Sequence, residues 1–261
     1  MGSDVELTDA QIASWISHYM WPFFRIMGFF MIVPVLGARV TPARVRVMLA
    51  FVWTTALYPI LPSMPLIEVT GLGSLVIIAH QILIGLVLGF VVLMILQVVV
   101  LAGQIISMQM GLGFASMVDP ANGVNVAVLS QWYQVLVTLV FLAINGHLVV
   151  LEVLADSFDV LPVAPLSFNQ GSFFALAEFG AWVFRASLML ALPAIAALLL
   201  VNLTFGVMTR AAPQLNVFSL GFPVSMLAGL VIVWASYWAA YPMVQNLVGV
   251  HVDFMRNLMA W

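Results

Sequence analysis

Cysteine and lysine are both missing from this 261-residue chain. Without cysteine there is no disulfide, no thiolate nucleophile and no Cys-based metal site. Without lysine all basic charge rests on arginine, and the formal net charge is −3. A nucleic-acid partner needs a basic face to meet its phosphates, so that class is excluded. Charge of either sign is scarce: 7% of the residues are charged and 64% hydrophobic. A soluble domain carries about 25% charged residues. Too few charges remain for a water-facing surface, so the composition is that of a membrane or membrane-complex protein.

Signals of other kinds are also missing. The start, MGSDVELTDAQ, carries Asp4, Glu6 and Asp9 where a secretory leader would be basic. Glu6 sits where a myristoylation signal needs Ser or Thr. The first apolar segment is therefore expected to be retained. No G-x-S-x-G, H-E-x-x-H or P-loop pattern occurs, and the 4 histidines show no H-x-x-x-H spacing. Ser107, Ser130 and His147 can be drawn as an intramembrane protease centre, but nothing in their context supports one. No catalytic residue, metal or cofactor is expected.

What is present is a series of long apolar segments. Thr8 or Asp9 can cap a helix near Ala10, and the run Ile12–Gly37 follows, interrupted by Pro22 and Pro34. Next come Met48–Leu61, Leu72–Ser107, Val124–Val160, Phe173–Met208 and Val224–Val250. Plain hydropathy reads these as about six helical spans. Arg39, Arg44, Arg46 and Arg210 then fall on one side. The acidic N-terminus, Glu68, Asp156 and Asp159 fall on the other. That places the arginine loops inside. Yet Leu72–Ser107 as one helix would exceed 50 Å at about 1.5 Å per residue, against a hydrocarbon core of about 30 Å. Kinked or re-entrant hairpins packed against protein fit such segments as well as simple spans do. The predicted class is an all-α membrane protein of long, kinked helical hairpins. Gly85 and Gly89 form a G-x-x-x-G pair; it either admits a close helix neighbour or reflects the frequency of glycine in membrane helices.

Charges inside apolar segments demand partners. Arg25 at mid-helix costs about 2.5–3.5 kcal/mol on insertion scales, so it should meet an acid, backbone carbonyls or a wet cavity. Glu152, Asp156 and Glu178 are candidates. Arg185 has Glu178 two turns back on the same helical face. These charges either hold helices and subunits together or serve transport. His147, near Asn145 and Glu152, reads as part of a proton relay or as a structural histidine.

One connection is unlike an ordinary membrane loop: SMQMGLGFASMVDPANGVN, Ser107 to Asn125. It has no basic residue. Methionine conforms to irregular gaps, Gly111, Gly113 and Gly123 permit backbone bends, and Asp119–Pro120 marks a turn. Met108, Met110, Phe114 and Met117 would make a deformable apolar seal that blocks ions by dewetting. The other reading is a buried connection whose methionines fill gaps.

Three blocks, MGLGFASMVDPANGVN, FLAINGHLVVLEVLADSFDVLPV and APQLNVFSLGFP, resemble in order and spacing the FliR family of flagellar export-gate proteins. Its injectisome relatives include SpaR and YscT proteins. The resemblance runs over essentially the whole chain. It implies a non-enzymatic subunit of the flagellar type III export gate, stable in a hetero-oligomeric helical assembly with FliP-like and FliQ-like subunits and engaging a FlhB-like one. Unfolded protein substrates would pass through the shared channel. It implies a single FliR-like domain over 1–261, FliP-like to about residue 210, with a FliQ-like hairpin from about 211 to 261 and the preceding helix. It implies a place in the inner membrane within the basal body, helices partly on the periplasmic side. Residues Gln109–Asn122 match a loop that plugs the channel in the family, which makes Met110, Gly111, Gly113, Phe114, Met117 and Asp119 plug candidates beside Met108. The stretch Gln214–Pro223 would be a hairpin tip packed in the complex. The competing function is a stand-alone ion-coupled secondary transporter using Arg25, His147, Glu152 and Arg185. Such transporters tend to carry inverted repeats, and none is evident here.

Overall fold

The computed structural model describes residues 9–34, 36–37, 41–65, 71–112, 127–164, 170–211 and 221–260. They are helical, with no strand among them: α1 (Asp9–Ile32), α2 (Ala43–Leu57), α3 (Leu72–Gln109), α4 (Val128–Ala143), α5 (Gly146–Val160), α6 (Gln170–Ala211), α7 (Phe222–Ser236) and α8 (Ala240–Met259). A short 3₁₀ turn, Tyr237–Ala239, joins α7 to α8. Several hydroxyls inside the helices turn back on the backbone. Thr54, Thr138, Ser187 and Thr204 each donate to a carbonyl one turn earlier, at 2.7–2.8 Å. That is how an apolar helix carries a hydroxyl without leaving it bare.

Sequence expectation and structure differ in three places. Pro22 lies inside α1 without ending it, while Pro34 falls just beyond the helix. The single segment expected over Val124–Val160 is two helices. Asn145 between them adopts a left-handed conformation, φ 58° and ψ 24°, one that Asn tolerates better than other side-chain-bearing residues. Its carbonyl then accepts from Leu148 N at 2.9 Å to start α5. Finally, six spans are not met among the described residues. Three stretches are long and apolar enough to cross a membrane, Gly73–Gln109, Gly171–Ala211 and Phe222–Met259, with the broken α4–α5 pair as a fourth. The α2 helix has only 15 residues.

The chain forms two compact units. The first draws on the chain up to Leu93, Asn145–Ala177 and the end from Gly249; the second on Met94–Ile144 and Glu178–Val248. In the first unit α2 packs on α1. Tyr58 stacks on Tyr19, with centroids 4.9 Å apart and planes 11° from parallel. The early part of α3 crosses α1 through glycines on both helices. A Cβ at Gly89 would sit 2.8 Å from the Phe29 carbonyl oxygen. One at Gly85 would sit 2.7 Å from the Phe29 nitrogen and collide with the Arg25 carbonyl, and one at Gly28 would collide with that of Ile82. Backbone touches backbone here, which only glycine allows. Trp21, Ile26, Phe29, Ile84 and Leu88 are buried around the crossing.

In the second unit the core is Ala102, Ile106, Met110, Leu129, Ala191, Ala194, Leu198 and Val233, from the end of α3, α4, α6 and α7. Gly103 lets α4 close on α3: a Cβ there would lie 3.1 Å from the Ser130 Cα and 2.7 Å from the Tyr133 ring.

Gly85→Ala is expected to force α1 and α3 apart and cost about 1–3 kcal/mol or more, as overpacking does. Gly73→Ala, where a Cβ meets nothing within 4 Å, should stay within about 0.5 kcal/mol of wild type. Protease resistance of the two variants in native membranes checks this; equal resistance would refute the close crossing.

Candidate functional site

Two places bring together the residues that the sequence singles out. The first is Arg25. Ser17, Trp21 and Arg25 follow one another at one-turn spacing along α1, and all three are buried. All three guanidinium nitrogens donate to uncharged acceptors. Nε donates to Gln81 Oε1 at 2.8 Å, Nη1 to the Ser157 carbonyl at 2.7 Å and its hydroxyl at 3.1 Å, and Nη2 to the Leu161 carbonyl at 2.7 Å. The Phe158 ring lies under the cation, 4.2 Å from Cζ to the centroid. Ser157 and Leu161 belong to the last turn and cap of α5. The last carbonyls of a helix have no partner within it and carry its negative dipole end. Arg25 therefore caps α5 from another helix.

Of the three kinds of partner expected for Arg25, backbone carbonyls are met and the acidic candidates are not. Glu152, Asp156 and Glu178 make no ion pair with Arg25 among the described residues. Glu152 is exposed on α5, Asp156 half-buried. Glu178 and Arg185 are both exposed on α6 and form no ion pair with each other or with another described residue. His147 is half-buried, with a buried Nδ1 lacking a partner among the described residues. No hydrogen bond joins it to Glu152. The expected relay is not assembled. Sequence reasoning missed Gln81 and Ser157; the former was visible as a polar residue inside the apolar run Leu72–Ser107.

The second place is the base of the methionine- and glycine-rich connection. The α3 helix stops at Gln109, and Gly111 takes φ 81°. Leu112 N donates to the Ser107 carbonyl and Gly111 N to that of Met108, each at 3.0 Å. This is the six-to-one, five-to-two pattern that closes a helix on a left-handed glycine. Met110 and Met108 part company at this stop. Met110 is 1% exposed and Met108 66%. The Met110 thioether fills the space over Gly229 of α7, where a Cβ would lie 2.5 Å from Sδ. On the far side of the connection Leu129 enters the same core cluster as Met110. Both ends of the segment are thus fixed in one core. Gly113, Phe114, Met117 and Asp119 lie outside the described residues, as do Arg39, Glu68 and Gln214–Leu220. A cavity of about 240 Å³ borders this core, lined by Ala102, Ile106, Tyr133, Ala194, Ser236 and Met243 among others. At its polar edge the Tyr133 hydroxyl and Ser236 Oγ are 3.3 Å apart. Among the described residues no group of three His, Cys, Asp or Glu side chains stands together as a metal site.

Residues 16–250 match the family model described as Bacterial export proteins, family 1. The chain belongs to the FliR family. It is 38% identical over 256 residues to the flagellar biosynthetic protein FliR of Escherichia coli (strain K12), covering 98% of each chain. It is 28% identical over 246 residues to that of Bacillus subtilis (strain 168), covering 93% of this chain and 94% of the other. It is also 29% identical over 245 residues to the surface presentation of antigens protein SpaR of Shigella sonnei, covering 90% and 91%. Membership of the FliR family makes it a bacterial export protein with membrane-crossing helices.

Arg25 in this FliR-family chain is expected to act through fold and assembly rather than through substrate. The Ser157 carbonyl keeps the Leu161 N at 3.0 Å, but Arg25→Ala strands the Leu161 carbonyl and the Gln81 amide oxygen and should cost about 1–3 kcal/mol. Arg25→Lys should rescue little, because an ammonium cannot reach acceptors arranged around a planar fork. Protein level in membranes and recovery of the assembled complex report this. Normal assembly of Arg25→Ala with altered substrate choice would contradict it.

Proposed function

We propose that this chain is a subunit of the flagellar type III export gate, sharing the channel wall with other membrane subunits and supplying the stopper from the segment after α3. Similarity to flagellar biosynthetic proteins over nearly the whole chain supports the flagellar assignment. The observation that carries the stopper is the double anchoring of residues 113–126: Met110 and the Gly111 turn hold one end, Leu129 the other, in a single core. The segment holds Phe114, Met117 and two glycines and is free of basic residues, with Met108 and Met110 just before it. That suits a compliant seal around a polypeptide of no fixed sequence better than a charged filter would. Met110 serves here as the anchor. Met108, Gly113, Phe114, Met117 and Asp119 provide the closing surface and its turns.

The partners on this reading are FliP-like, FliQ-like and FlhB-like subunits in the inner membrane at the flagellar basal body. The chain contributes a FliP-like part to about residue 210 and a FliQ-like hairpin beyond it, together with the preceding helix. Bare apolar faces support an assembly of this kind. Leu199, Leu200 and Leu203 on α6, Trp234 on α7 and Trp238 after it are 53–79% exposed. The α6 helix, at 42 residues, reaches about 63 Å at 1.5 Å per residue. Part of it must leave a hydrocarbon core of about 30 Å, which supports placing helices partly on the periplasmic side. The hydrogen bonds from all three Arg25 guanidinium nitrogens count against a transporter that would need this charge to move.

Deleting residues 113–117 in cells that also make the partner subunits is expected to leave the complex assembled but leaky. Uptake of a small impermeant solute should rise well above that of Met108→Leu, which keeps the apolar surface. Normal assembly with wild-type permeability would remove the stopper from this account.

A further inference from the structure

We propose that the cavity beside Tyr133 holds one acyl chain of a bilayer phospholipid, whose ester carbonyl accepts a hydrogen bond from the Tyr133 hydroxyl. This needs only that the chain sits in a bilayer, and it does not rest on the stopper.

The cavity lies wholly within the second unit. Val99, Ala102 and Ile106 of α3 and Ala194 of α6 form its floor, and all four are buried. Pro193 of α6 and Ser236, Tyr237 and Ala239 around the end of α7 form its rim, and all four are exposed. Protein leaves about 240 Å³ unfilled there. An apolar cavity of about 150 Å³ already takes up benzene and stays dry. This larger one admits a longer stretch of hydrocarbon and gives water little to bond. No charged side chain lines it. A carboxylate or an ammonium would be buried there unpaired, which counts against a free fatty acid and favours an uncharged ester.

The rim offers one donor. Ser236 Oγ gives its proton to the Val233 carbonyl at 2.8 Å. In the 3.3 Å contact between the Tyr133 hydroxyl and Ser236 Oγ, tyrosine is then the donor. Hydrogen bonds between oxygens run at about 2.5–3.0 Å, so the phenol proton is weakly held. It can turn to a better acceptor, and an ester carbonyl entering beside Ser236 is one.

The depth of the rim agrees with a lipid. From Phe222 to Tyr241 the sequence has no charge and no amide side chain; Gln245 and Asn246 follow. About 20 residues cross a hydrocarbon core, so its border falls near Tyr241. On α6 the charge-free stretch Ala186–Thr209 begins just after Arg185, and Leu190 of the lining follows within two turns. Trp234, Tyr237, Trp238 and Tyr241 gather at the same end, 52–79% exposed. Such rings collect at the level of lipid headgroups. From Leu190 to Ala194, and from Tyr237 back to Ile232, the lining runs away from that border. A lipid with its ester at the rim therefore sends its chain inward in the direction it already takes in the bilayer.

The test is made in native membranes holding the full chain together with the other proteins of its export apparatus. The probe is a phosphatidylethanolamine with a photo-reactive diazirine in the middle of one acyl chain. Adducts are expected on Val99, Ala102 or Ile106, which lipid at the outer surface cannot reach. Leu136→Trp fills the cavity from α4 and should lower these buried adducts about tenfold or more, since the chain loses its space and contacts. Tyr133→Phe should lower them about two- to tenfold, the worth of one hydrogen bond. Neither should change adducts on exposed residues of α6. Adducts confined to exposed residues mean surface lipid only, or a protein side chain in the cavity, and overturn the proposal. Buried labelling that Tyr133→Phe leaves unchanged overturns it too. That variant removes one oxygen at a half-buried position and decides the matter if Leu136→Trp does not fold. A free fatty acid with the same diazirine that labels the floor as well as the phospholipid does overturns the ester assignment.

Discussion

A chain with so few polar side chains has a recurring problem at every helix end: the final carbonyls need donors, and in an apolar setting water does not supply them. The α5 helix meets this need with Arg25, held by α1 and steadied by Gln81 of α3. The geometry is mutually dependent. The Arg25 main chain is the very surface against which Gly85 packs. If α1 stood off α3 by the width of a methyl group, the Nε bond to Gln81 would stretch, and the fork would no longer reach both α5 carbonyls. Close crossing and distant capping are one constraint, and it ties α1, α3 and α5 into the first unit. The α3 helix meets the same need locally, with a left-handed glycine at 111. That solution turns the chain sharply and sets where the methionine-rich connection begins.

Much of the helix plan was legible in hydropathy, because a long apolar run in a charge-poor chain has few other ways to satisfy its backbone. The run Leu72–Ser107 became α3, Leu72–Gln109, and Phe173–Met208 became α6, Gln170–Ala211. The break at Asn145 was hidden in hydropathy averaged over the run, although Asn145–Gly146 is a turn-forming pair that marks where α4 ends and α5 begins. Arg25 could be recognised as a problem and backbone carbonyls named among its possible partners, but not which carbonyls. An acid is the obvious answer to a lone cation, whereas a helix terminus is invisible until the helices are placed. Glycine behaved similarly. Gly85 and Gly89 announced themselves by spacing, while Gly28, Gly103 and Gly229 matter only through what faces them.

The methionines after α3 show why composition alone underdetermines a seal. Met108 and Met110 are alike in sequence context, yet the helix stop sends one outward and the other into a core beside Gly229. A stopper needs both kinds of residue. On the proposed reading, fixed ends limit the conformational freedom that the segment would gain by leaving the channel. With no free residues, there would be nothing to yield. Anchoring at Met110 and Leu129 limits the loop to conformations that start and finish in one place. Closing a loop of this size costs little more when its length changes by a few residues.

Opening such a seal also needs a source of preference between its two states. A passing molecule shifts an equilibrium only by as much as it binds one state better than the other. An unfolded polypeptide presents no constant charge pattern or shape, so a closure that depended on a titrating group or a fixed ion pair would respond to some segments and stall on others. Apolar side chains and backbone are what every stretch of such a polypeptide offers. A surface of methionine and glycine meets both without demanding a particular partner. The cavity bordering the anchoring core is consistent with this economy. Side chains lining an unfilled volume give up fewer packing contacts when they move than those in a close-packed interior. On the proposed reading, the support of the stopper can therefore adjust while Met110 keeps its seat. On the proposed reading, the scarcity of charge that limits this chain on every other face is what lets its gate treat all cargo alike.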